Sequence, residues 1–160
     1  MVKNLVVSRV FNAPLKEVWK VWTEPELVKQ WWGPEMFTCP IARMDFREGG
    51  TSVVCMRSPK ELGGQDMYSI WTYKKIIPGE SIEFIQNLAD KDGNRQHPDT
   101  LGMPPDFPED VRTVVTFKDL GEDKTEMTVT EIADFGQMTT FAKLGLEQCM
   151  DKMLAIFPNR

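Results

Sequence analysis

From Ile41 to Ile132 the chain is a succession of β-rich segments separated by turn signals, with helical patterns on either side. "IARMDFREGG" and "TSVVCMRS" meet at Gly49-Gly50. "MYSIWTYKKIIPGESIEFIQNL" is two strands hinged at Pro78-Gly79, and "VRTVVTFKDLGEDKTEMTVTEI" is two more, turning around Gly121-Glu122-Asp123. Glycine, proline and aspartate supply the unusual or fixed backbone angles of tight turns, so these pairs read as antiparallel hairpins. In the last of them Met127 and Val129 alternate with Thr128 and Thr130, which gives a strand with one dry and one wet face.

The flanks are helical. After a first strand, "LVVSRVFN" (5–12), Pro14 is placed to open a helix. Leu15, Val18, Trp19 and Trp22 then recur at i, i+3, i+4 and i+7. Thr23 and Glu26 have the spacing of a capping box, and Leu27, Val28 and Trp31 form the apolar face of a second short helix that ends at Gly33-Pro34. The segment 136–157 reads as a long amphipathic helix with an apolar stripe of Leu146, Cys149, Met150, Met153, Leu154 and Phe157. Strand, two short helices, about six antiparallel strands and a long helix make an α+β layer, expected as one domain over 1–160. A curved sheet around a long helix leaves a gap between them, where small ligands bind.

The bulk numbers exclude several functions. The 160 residues carry 19 Lys and Arg against 24 Asp and Glu, a net charge of −5, with no basic run. Nucleic-acid binding and adhesion to anionic membranes both need clustered cations, so neither partner is expected. No apolar stretch approaches the ~20 residues of a membrane span. The start lacks the pattern of a signal peptide, and three separated cysteines without C-x-x-C suit reduced thiols, so a cytoplasmic location is expected. His97 is the only histidine and lies in a loop, which disfavours histidine catalysis and histidine-rich metal sites. No metal and no cofactor is expected, because neither a calcium loop nor a glycine-rich nucleotide motif is present.

Within this frame, "FNAPLKEVWKVWTEPELVKQWWGP", the "DFREGG" turn, "VRTVVTFKDLGEDKTEMTVTE" and "KLGLEQCMDKM" together resemble homologues of the activator of the heat-shock-protein-90 ATPase. These are members of the SRPBCC superfamily. The resemblance covers essentially the whole chain and implies a helix-grip, START-like fold, a curved antiparallel sheet wrapped around a long C-terminal helix. It implies a cavity for a small apolar or amphipathic molecule, and it leaves open a chaperone-directed role or a cyclase- or hydrolase-like enzyme. The full-length activator carries a further amino-terminal domain that is not expected here, since the sequence opens on the first strand of this fold, and this expectation ranks chaperone stimulation below ligand binding. The sequence departs from its relatives at Gly145-Leu146, where Gly-Trp is usual; losing an aromatic there is expected to enlarge the cavity.

Candidate lining residues follow from strand parity. Met44, Phe46, Val54, Trp71, Tyr73, Phe84, Gln86 and Glu131 fall on inward positions, with Phe141 and Met138 on the last helix. Trp19, Trp22 and Trp31 read as core, whereas Trp32 points about 100° away from Trp31 and stands between core and cavity mouth. Met56 and Met127 are further inward positions, and thioethers suit an adaptable pocket. Glu131 is the best candidate for acid–base or anchoring chemistry, because a carboxylate facing an apolar cavity has a raised pKa; a solvated rim position is the alternative. The loop 91–110, with Gly102 before "MPPDFP", reads as a lid whose Met103 and Phe107 pack near Met138 and Phe141, or else pin it to the outer face of the sheet.

Overall fold

The computed structural model describes residues 4–158; residues 1–3 and 159–160 of the expected domain lie outside the described residues. Among the described residues β1 (Asn4–Phe11), β2 (Thr38–Arg43), β3 (Thr51–Arg57), β4 (Asp66–Ile77), β5 (Ser81–Ala89), β6 (Val111–Gly121) and β7 (Lys124–Ile132) form one antiparallel sheet. Its order is β1-β7-β6-β5-β4-β3-β2, so consecutive strands are neighbours except that β1 crosses to pair with β7. The helices α1 (Leu15–Thr23) and α2 (Pro25–Trp31) occupy the crossover from β1 to β2, and α3 (Thr139–Ile156) closes the chain. This is the helix-grip arrangement.

The hairpin turns act as their sequences demand. Glu122 and Asp123 both take positive φ, 54° and 57°, the mirror-image turn that matches strand twist. Gly33 has φ 109° and ends α2; a Cβ there would also sit 3.1 Å from Phe37 Cβ. Two local expectations fail. Thr23 is the last residue of α1 and not a cap, so Glu24 stands at the start of α2 without a side-chain capping bond. The segment expected as a strand to Gly50 leaves the sheet after Arg43, because Asp45 N–H turns to the Ser52 hydroxyl (3.1 Å) and Arg47 N–H to Asp45 O (3.0 Å).

The main core is aromatic and lies on the concave face. Trp22, Trp31, Trp71 and Phe84 form a continuous group of rings, with Trp31 and Trp71 stacked at 19°. Trp22 donates its indole N–H to Met127 Sδ (3.0 Å), and Trp31 donates to Val21 O (2.7 Å). The carboxyl-terminal half of α3 packs here through Cys149, Met150 and Met153. Lys152 ties that half to the 33–37 loop by donating to the carbonyls of Gly33 (2.9 Å), Pro34 (3.0 Å) and Phe37 (3.0 Å). Its half-buried ammonium is thereby satisfied without a carboxylate.

Candidate functional site

The amino-terminal half of α3 does not reach the sheet in the same way. It overhangs a cavity of about 370 Å³, within the range of small-molecule sites. The sheet contributes Met56, Gln86 and Glu131, and α3 contributes Phe141, Ala142, Leu144, Gly145, Leu146, Gln148 and Cys149. Trp32 and Pro34 close one side, Phe107, Phe135 and Met138 the other. Phe141 and Leu144 are exposed at 67% and 49%, an apolar rim that a bound molecule would cover.

Two polar side chains from the sheet stand out on this surface. Glu131 is opposite Thr113 of β6, and Gln86 of β5 is opposite Val111. Neither side chain makes a hydrogen bond or ion pair among the described residues. Burial raises the Glu131 carboxyl from 4.5 to about 7, with no neighbouring cation to offset it. At neutral pH it is divided between proton donor and proton acceptor, which suits either acid–base chemistry or the anchoring of a polar ligand group. Cys149 faces the same cavity, and burial pushes its thiol up to about 12, so it is a neutral wall and not a nucleophile. Gln148 is partly committed, since its Oε1 accepts from Glu35 N–H at 3.0 Å. The buried indole N–H of Trp32, like that of Trp71, has no partner.

A smaller annex of about 40 Å³ lies behind Phe107, sharing Gln86, Glu131 and Phe135 with the main cavity and adding Asn87 and Glu109. The loop 91–110 forms this wall. Phe107 packs edge-on to Phe135 with centroids 5.8 Å apart. Asp106 accepts from Gln137 N–H (2.8 Å) and Gln137 Nε2 (3.2 Å), directly before α3. A Cβ on Gly136 would overlap the Asp106 carboxylate, so glycine there is what lets the loop dock. His97 serves the loop itself, 2.7 Å from Asp99 and 3.0 Å from Glu109.

The structure therefore gathers Trp32, Gln86, Phe107, Glu131, Met138 and Phe141 of the expected lining at one cavity. Val54, Trp71, Tyr73 and Phe84 share the inward face but are buried in packed core, and Met44 and Phe46 pack against that core. Phe46 lies between Trp19 and Tyr73, at ring distances of 5.8 and 5.1 Å. The Tyr73 hydroxyl is not offered to a ligand, because it hydrogen-bonds the Ser52 hydroxyl at 2.7 Å. Met103 does not line the cavity; its N–H is bonded to Pro98 O within the loop. Missing from the expected set were Phe135 and, beyond Phe141, the rest of the α3 face formed by Leu144, Gly145 and Gln148. Helical spacing at i, i+3, i+4 and i+7 was the signal that could have found that face.

A model of the family described as activator of Hsp90 ATPase homolog 1-like protein matches residues 12–157. The chain belongs to this family. None of the curated proteins matches the sequence. Among solved structures, a protein from Arthrobacter aurescens shares the fold at a TM-score of 0.79 and 20% identity, over 98% of this chain and 90% of that one. One from Mycobacterium smegmatis does so at 0.75 and 20%, over 100% and 97%. A protein from Silicibacter pomeroyi, named after the same family, superimposes at 0.73 and 18%, over 96% of each chain. At these identities the likeness is one of fold. Among the described residues no helix is long and apolar enough to cross a membrane, and no group of side chains is arranged to hold a metal.

Proposed function

We propose that this member of the Hsp90-activator-like family binds a small, mainly apolar molecule in the cavity between the sheet and α3. The molecule's polar group is addressed by Glu131 and Gln86. The observation that carries this reading is the unpaired Glu131 carboxyl in an otherwise apolar cavity of about 370 Å³. Glu131 is half-buried and open to the cavity, and a carboxyl in such an apolar setting gives up part of its hydration, which a ligand offsets by supplying a hydrogen bond. Membership of the family is compatible with ligand binding and with a chaperone-directed role; the cavity is the observation that favours the former.

A neutral apolar dye, N-phenyl-1-naphthylamine, tests the reading. Its emission should rise on binding and tryptophan emission should fall, since Trp32 borders the cavity. At a hundredfold excess over Kd the dye should stabilise the fold by ~2.7 kcal/mol, visible as a raised melting temperature. Unchanged tryptophan emission together with an unchanged melting temperature would overturn the proposal.

A further inference from the structure

The chemistry of the lining narrows the ligand further, on the premise that the cavity is a ligand site. Among its lining residues the only titratable side chains are Glu131 and Cys149, and the thiol stays neutral at physiological pH. No lysine, arginine or histidine lines it. Lys152, on the same helix, gives its ammonium hydrogens to three loop carbonyls. An acidic ligand would therefore meet one carboxylate and no countercharge.

The walls are rich in π faces. Trp32, Phe107, Phe135 and Phe141 all line the cavity that holds Glu131. Aromatic faces attract cations through their quadrupole, most strongly where water is excluded, and aromatic enclosures recognise ammonium groups in this way. An ammonium would also give Glu131 the charge-assisted bond it lacks, and Gln86 Oε1 is a further acceptor for a second N–H. A hydroxyl or carbonyl would satisfy the polar pair but gain nothing from the rings.

We infer that the polar group of the ligand is a cationic amine, seated between the Glu131 carboxylate and the aromatic walls. Binding an ammonium favours the ionised carboxylate, so a proton leaves Glu131 as the amine enters. The groups facing Glu131 are Leu5 of β1, Thr113 of β6 and Cys149 of α3, and Glu109 of the 91–110 loop shares the annex behind Phe107, where it is paired with Arg95 and His97. Leu5 and Thr113 carry no titratable group and the Cys149 thiol stays protonated, so the pH dependence assigned to Glu131 is the part of the amine's pH profile that disappears in Glu131→Gln.

Calorimetry with three probes of one shape tests this: 4-phenylbutylamine, 4-phenylbutan-1-ol and 4-phenylbutyrate. At pH 8 the amine should bind at least tenfold more tightly than the alcohol, and the carboxylate most weakly. The amine, with a pKa of about 10 like a lysine side chain, stays charged throughout. Its affinity should fall by up to tenfold per pH unit below the Glu131 midpoint, while the alcohol's does not. In Glu131→Gln, with folding checked by circular dichroism, the amine's advantage over the alcohol should shrink to the few-fold that the aromatic walls alone supply. Equal binding of amine and alcohol by the wild-type protein at pH 8 would overturn the ammonium assignment and leave the cavity reading standing. So would an amine preference undiminished in Glu131→Gln, or dye binding with no amine binding. If neither the dye nor any of the three probes binds, the cavity reading falls and the assignment with it.

Discussion

Glu131 is destabilising where it stands, and that has a measurable sign. Its folded-state pKa, about 7, lies above the ordinary 4.5, so the folded protein holds this proton more tightly than the unfolded chain. Stability then falls as pH rises from about 4.5 to about 7 and levels off above. One pKa unit is ~1.4 kcal/mol, so the shift sets an upper bound of roughly 3.5 kcal/mol, reduced by solvent entering the open cavity. Glu131→Gln should raise the melting temperature at pH 8 and leave it nearly unchanged at pH 4, measured by thermal denaturation at both. Equal shifts at the two pH values would show that the carboxyl is solvated. The inward position of Glu131 was legible in the period-two pattern of Met127 and Val129. The absence of a partner was not, because strand parity says nothing of the charges on other elements. Tyr73 illustrates the same limit: its inward direction was readable, but the Ser52 hydroxyl that occupies it is contributed by another strand.

At the scale of elements, the order of strands and helices was readable from turn residues and periodicity, and the filling of the concave face was not. Trp19, Trp22 and Trp31 on α1 and α2 pack over the sheet where Tyr73, Phe84 and Trp71 point inward, and the cavity lies under the start of α3. The loop 91–110 borders that space through two adjacent residues of different kinds. Phe107 supplies apolar contact with Phe135, and Asp106 accepts hydrogen bonds at the turn before α3. The Gln137 N–H holds the Asp106 carboxyl below its usual range, so this tie is intact at neutral pH and is lost as pH falls through that depressed value. Phe107→Ala should speed release of the naphthylamine dye several-fold by opening the wall, read by stopped-flow fluorescence. Met103→Ser, in a side chain that does not line the cavity, should leave the release rate unchanged. An unchanged rate in Phe107→Ala would mean that the loop does not gate the site.

For the molecule as a whole, the cavity is a packing deficit placed where the last helix overhangs the sheet. A sheet filled along its entire length would be more stable, since close-packed contacts and buried apolar area both add to the folded state. Here the aromatic core ends short of Glu131, and Leu146 occupies the helix position where the family resemblance implies a tryptophan. Leu146 lines the cavity, so a larger side chain at this position extends into that space. Leu146→Trp should fill part of the space and raise the melting temperature; a gain of about 1 kcal/mol corresponds to roughly 2–4 °C for a chain of this size. The same substitution should remove dye binding, because the ring and the ligand compete for one volume. Stability and binding would then move in opposite directions, the expected relation when a site is an unfilled part of the core. A Leu146→Trp protein that is more stable yet binds the dye as before would place the ligand elsewhere on the fold.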